Sequence, residues 1–104
     1  VLGSPGGPTI ITSVLQTVLN FYEFGFDMQK SVDASRFHHI WLPDKIFYEK
    51  NVLSNKIKNA LKKKGYKFNS NYSVIGRVDA IHIDKNKMFY GGADKRGDDK
   101  SIGY

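Results

Sequence analysis

The 104-residue sequence predicts an α+β fold in which antiparallel strands pack against helices. Three observations carry that reading. An apolar stripe at helical spacing runs from Ile10 to Tyr22. Two short segments, Val78–Asp84 and Met88–Ala93, flank Lys85-Asn86-Lys87 in the manner of a β-hairpin. No internal repeat, low-complexity block or linker divides the chain, so residues 1–104 read as a single α+β fragment.

The elements follow in order. Ile10, Ile11, Val14, Leu15, Val18, Leu19 and Tyr22 form one face of a helix from Thr9 to about Phe24, and Gly25 is its natural stop. The opposite face, Thr12, Ser13, Gln16, Thr17 and Asn20, is polar but uncharged. A free surface helix usually carries Lys or Glu there, so this face is expected to be covered by protein outside the chain. Asp27 can cap a short second helix from Met28 to about Ala34. Phe37–Leu42 reads as a strand ended by Pro43-Asp44, and Lys45–Glu49 can pair with it. Ser54 caps a further helix to about Lys64, with Ile57, Ala60 and Leu61 expected inward and Gly65 closing it. Lys62, Lys63 and Lys64 suit the negative end of that helix. Tyr66–Phe68 is a brief strand candidate, Asn69–Ser73 a loop, and the charged tail from Asp94 to Lys100 irregular.

Composition excludes several functions. With no Cys, disulfides and thiol chemistry are ruled out. No apolar stretch approaches the ~20 residues that span a bilayer, and no signal peptide is visible. The chain starts with Val inside what reads as a loop, which suggests a piece of a longer protein. The formal charge of +6 invites nucleic-acid binding, but its distribution argues against it. Six of the 16 basic residues lie between Lys56 and Lys67, without interleaved Arg, and none precedes Lys30. Such a run is more often a solvated face.

The chemistry concentrates at the beginning of the chain. Gly3-Ser4-Pro5-Gly6-Gly7-Pro8 runs directly into the first helix. Glycine lets backbone N–H groups approach a ligand closely, and a helix start carries unpaired N–H groups and partial positive charge. A glycine pair there can hold an anion or a developing oxyanion, although a plain turn gives the same residues. Ser4 does not sit in a nucleophile elbow, which needs glycines two residues to either side. His38 and His39, adjacent on a strand, point to opposite faces and lack a third ligand, so a structural role is expected and no metal or cofactor site. Asp94, Asp98 and Asp99 stand beside Lys95, Arg96 and Lys100, a pattern of salt bridges or solvated charge.

Three motifs in register extend the reading. They are Gly3-Ser4-Pro5-Gly6-Gly7 with Thr9-Ile10-Ile11 and Val14-Leu15-Gln16; Asp33-Ala34-Ser35-Arg36-Phe37-His38-His39 with Leu42-Pro43-Asp44; and Tyr90-Gly91-Gly92-Ala93-Asp94 through Arg96, with the terminal Gly103-Tyr104. Over essentially its whole length the chain resembles the C-terminal half of the small subunit of γ-glutamyltranspeptidase, an N-terminal-nucleophile hydrolase. That resemblance implies a four-layer αββα parent enzyme, matured by autocatalytic cleavage, whose new N-terminal Thr is the nucleophile and its own base. Such enzymes move the γ-glutamyl group of glutathione and related amides to water, amino acids or peptides through an acyl-enzyme.

In this family the two glycines of the loop, here Gly6 and Gly7, supply oxyanion-hole N–H groups. The nucleophile, the serine pair and acidic residue that hold the substrate, and an Arg of the large subunit lie outside the chain. The piece is therefore expected to be inactive alone and to need the large subunit and the upstream half of the small subunit as partners. Self-association of the fragment and a periplasmic or extracellular parent are further expectations. Pro8 stands where relatives commonly carry a polar residue, and the tail lacks a proline and a second Arg after Asp94. A related β-lactam side-chain acylase, or a basic nucleic-acid or anion-binding module on the Lys56–Lys67 face, are the alternatives.

Overall fold

A computed structural model describes residues 1–103. The chain divides into two compact units, one made of residues 1–34 together with the segment from Gly76 onward, the other of Ser35–Ile75.

In the first unit, β1 (Leu2–Gly3), β4 (Asp79–Ile83) and β5 (Phe89–Gly92) form an antiparallel sheet in the order β1-β4-β5. Leu2 pairs with Ala80, and Ala80, Ile81, His82 and Ile83 pair with Gly92, Gly91, Tyr90 and Phe89. The expected hairpin is therefore present, with Lys87 in the left-handed region at φ 61° and Asp84 Oδ1 accepting from Asn86 N and Met88 N. The expected loop at the chain start is instead strand β1. Two residues carry too little pattern to read as a strand; the sheet edge offered by β4 decides their conformation.

Helix α1 (Thr9–Tyr22) and helix α2 (Met28–Asp33) pack on this unit. Gly25, at φ 69°, ends the first as foreseen, with Phe26 N donating to Asn20 O. Asp27 caps the second through a 2.7 Å bond from Lys30 N. Val32, Val78 and Ala80 form the core, with Leu2 and Met28 packed against it. Gln29 ties α2 to the end of β5, donating to Ala93 O and accepting from Ala93 N.

The orientation of α1 reverses the sequence-based expectation. Ser13 and Thr17, on the neutral polar face, are the buried residues, whereas Ile11 is 76% and Leu15 51% exposed. Small residues win this face because the backbone at Gly76 approaches α1 closely: a Cβ on Gly76 would run into the Ser13 side chain. The polar face is thus covered from within the chain, while most of the apolar stripe is exposed and only Val14 and Val18 are half-buried.

In the second unit, β2 (Phe37–His39) and β3 (Ile46–Tyr48) make the expected antiparallel pair, with Phe37 opposite Tyr48 and His39 opposite Ile46. Both strands are shorter than predicted. Pairing stops at His39, and Trp41 and Leu42 lie exposed beyond it. Tyr66–Phe68 contributes a single parallel bridge, Ile46 to Phe68, instead of a strand. The unit is closed by buried Glu49, which accepts from Arg36 N and Ile75 N, both at 2.9 Å, while Arg36 Nη1 donates to Ile75 O.

Helix α3 (Asn55–Lys63) begins at Ser54, whose Oγ accepts from Ile57 N, and closes at Gly65 with φ 93°. Its expected inward face is only partly realised. Leu61 is half-buried, but Ile57 and Ala60 are exposed and α3 buries no residue. Of the three expected inward residues, the fold covers only Leu61, and that in part. Lys58 extends over the Tyr48 ring, which also meets Phe68 and Tyr72 edge-on.

Candidate oxyanion site

The segment between β1 and α1 builds the site. Gly6 has φ 132° and Gly7 φ 55°, backbone states that L-residues adopt reluctantly or not at all. Pro8, at φ −59°, enters the helix. Having no N–H, it leaves no orphan donor at the helix entry. Thr9 N donates to Gly6 O and Ile10 N to Gly7 O, each at 3.1 Å, so the loop carbonyls turn back onto the first helical turn. The N–H groups of Gly6 and Gly7 make no hydrogen bond among the described residues, and both glycines are exposed. Two adjacent amide donors therefore stand ahead of a 14-residue helix whose first turn carries no acidic residue. That arrangement can stabilise negative charge. It contains no attacking group.

Ser4 is not placed as a nucleophile. Its Oγ donates to Pro5 O at 2.7 Å and accepts from Arg77 N at 3.0 Å, a bond spanning 73 residues of sequence. Gly76, at φ 65°, packs behind the same loop: an added Cβ would lie 2.9 Å from Ser4 Oγ. Neither Gly76 nor Arg77 was singled out by the sequence reading. An isolated glycine just before a predicted strand is the signal that could have marked the close approach.

The other sequence candidates lie elsewhere and serve the fold. Asp94 is buried, its Oδ2 accepting from Val78 N at 2.7 Å and its Oδ1 from Arg96 N and Arg96 Nη1. Arg96 also donates to Val32 O and Ala34 O, so the pair fastens the tail to α2. Asp99 lies 3.5 Å from Arg77 Nε. His39 Nε2 lies 2.9 Å from Asp44 Oδ1. His38 is buried in the hairpin, and burial, followed by the neighbouring His39, lowers its pKa below 6.5. No group of three or more His, Asp or Glu with metal-binding geometry occurs among the described residues. No helix among them is long and apolar enough to cross a membrane.

The mixed helices and antiparallel sheet are those of an N-terminal-nucleophile hydrolase, the class to which the solved structures similar to this chain belong. The chain matches the gamma-glutamyltranspeptidase family over residues 1–104. It is 39% identical over 105 residues to the glutathione hydrolase proenzyme of Escherichia coli strain K12, covering 100% of this chain and 18% of that protein. The corresponding proenzyme of Bacillus subtilis strain 168 is 37% identical over 106 residues, covering 98% of this chain and 17% of that protein. Among solved structures, γ-glutamyltranspeptidase of Pseudomonas nitroreducens in complex with L-DON superposes with a TM-score of 0.87 at 35% identity, covering 100% of this chain and 54% of that one. The chain belongs to the γ-glutamyltranspeptidase family. It spans less than a fifth of the length of these curated relatives.

Proposed function

We propose that this chain forms one part of a γ-glutamyl acyl-transfer enzyme, the C-terminal part of its small subunit, and that Gly6 and Gly7 supply the oxyanion hole. The observation that carries the reading is the pair of unbonded N–H groups on adjacent positive-φ glycines at the start of α1. A hydroxyl nucleophile from the remainder of the parent protein attacks the γ-glutamyl carbonyl of glutathione or a related amide. The carbonyl oxygen becomes an oxyanion beside the two amide donors. The tetrahedral intermediate collapses by breaking the C–N bond, the proton taken from the hydroxyl passes to the departing amine, and the acyl group stays on the enzyme. Water or the amine of an amino acid or peptide then takes the acyl group by the same steps in reverse order.

The glutathione hydrolase relatives support this substrate class over a β-lactam side-chain acylase or a basic binding module. The chain alone is inactive in this scheme, since oxyanion donors do not replace a nucleophile. Its partners are the large subunit and the upstream half of the small subunit, which cover the apolar face of α1 at Ile11, Leu15 and Tyr22. Without them that face drives self-association of the fragment. The parent enzyme acts in the periplasm or outside the cell.

The test is Gly7→Val in the full-length parent, assayed on γ-glutamyl-p-nitroanilide. A β-branched residue does not hold φ 55°, so the donor moves. Turnover is expected to fall by ~10²–10³, the loss typical of one oxyanion donor. Undiminished turnover would rule out the assignment.

A further inference from the structure

We propose that the hydroxyls of Ser4 and Thr9 are positioning residues that lock the two peptide planes carrying the oxyanion donors. The proposal rests on the assignment of Gly6 and Gly7 made above.

A peptide unit is rigid, so the C=O of one residue and the N–H of the next turn together. The Gly6 N–H shares its plane with the Pro5 carbonyl, and the Gly7 N–H shares its plane with the Gly6 carbonyl. Those are the two carbonyls that side-chain hydroxyls hold. Ser4 Oγ donates to Pro5 O at 2.7 Å, and Thr9 Oγ1 donates to Gly6 O at 2.9 Å, where Thr9 N also donates at 3.1 Å. Each donor N–H is therefore aimed from the opposite end of its own plane.

The planes need such a restraint. Turning the Gly6–Gly7 unit changes only ψ of Gly6 and φ of Gly7, and neither residue has a Cβ to resist the rotation. A flipped unit presents a carbonyl oxygen to the developing negative charge in place of a donor. The anchors are themselves fixed. Ser4 Oγ accepts from Arg77 N at 3.0 Å and so is held by the segment entering β4. Thr9 is the first residue of α1, and its Oγ1 fills the space that a Cβ on Gly6 would enter.

The test uses the full-length parent carrying Ser4→Ala, Thr9→Val and Thr9→Ser. Mature sites are counted with an irreversible γ-glutamyl analogue, and kcat and KM for γ-glutamyl-p-nitroanilide are expressed per titrated site. Losing one hydroxyl lock shifts the balance between aligned and flipped planes by about threefold to tenfold, the value of a side-chain hydrogen bond, and kcat falls with the aligned fraction, by up to that factor. KM of the donor substrate stays within about twofold, because the acyl group is bound before the oxyanion exists. The double variant Ser4→Ala/Thr9→Val loses no more than the ~10²–10³ of a missing donor. Thr9→Ser keeps the hydroxyl and is expected to retain native kcat.

A purely structural role would lower the count of mature sites or the Tm and leave kcat per site unchanged, and that result overturns the proposal. Equal losses in Thr9→Ser and Thr9→Val would also overturn it for Thr9. If Gly7→Val is crippled while Ser4→Ala and Thr9→Val are not, only the positioning role fails. If Gly7→Val is fully active, the oxyanion assignment itself fails.

Discussion

Replacing Asp94 with Asn should loosen the tail of the first unit. The buried carboxylate uses both oxygens: Oδ2 takes Val78 N at 2.7 Å, and Oδ1 takes Arg96 N at 3.0 Å and Arg96 Nη1 at 2.8 Å. An amide has one oxygen and one NH₂. Whichever way it is turned, a donor faces either Val78 N or Arg96, and one buried N–H loses its acceptor at ~1–3 kcal/mol. The substitution also strips the counter-charge from Arg96, whose side chain is only 8% exposed. Taken together, the loss is ~3–5 kcal/mol, as for a buried ion pair broken on one side. Hydrogen exchange of the intact parent, read on peptides covering Val78 and Gly92, measures it locally. The expected outcome is exchange ~10²–10⁴ faster there, with the β2–β3 peptides unchanged. Exchange at Val78 within twofold of the native protein would refute the view that this carboxylate holds the tail.

Two further outcomes follow from the geometry. Gly7→Ala should be mild and Gly6→Ala severe. A Cβ on Gly7 meets nothing within 4 Å and Gly7 sits at φ 55°, so alanine costs only ~1–2 kcal/mol of left-handed strain, about tenfold in kcat if all of it falls on the reaction. Gly6, at φ 132°, would drive its Cβ into Thr9 Oγ1, and kcat should fall by ~10²–10³; equal kcat values for the two variants would contradict this ordering. The second outcome concerns pH. Because burial and His39 lower the pKa of His38, the unfolded chain binds that proton first on acidification. The stability tied to neutral His38 is complete above 6.5 and is lost as pH falls below it toward and through the lowered value. His38→Gln should flatten this acid limb in urea midpoints measured against pH, and an unchanged limb would exclude His38 as its source.

Local signals in the sequence determined much of this protein. Asp27 and Ser54 cap the helices that follow them, Gly25 and Gly65 end helices in the left-handed region, and Lys85-Asn86-Lys87 turns the hairpin. Each of these is settled within a few residues, so short-range chemistry decides it. The glycine pair and its relation to α1 were legible for the same reason.

What only the tertiary structure decided involves partners distant in sequence. Periodicity predicted an amphipathic α1 correctly but not which face this chain would bury, because that choice depends on Gly76 arriving beside Ser13. Strand β1 exists only because β4 offers an edge, and α3 leaves Ile57 exposed although its spacing marks that residue as inward. Ser4 gave no sign of its bond to Arg77, and Asp94 none of its bond to Val78. A side chain's type states what it can donate or accept; the folded backbone alone brings the other half of the bond within 3 Å.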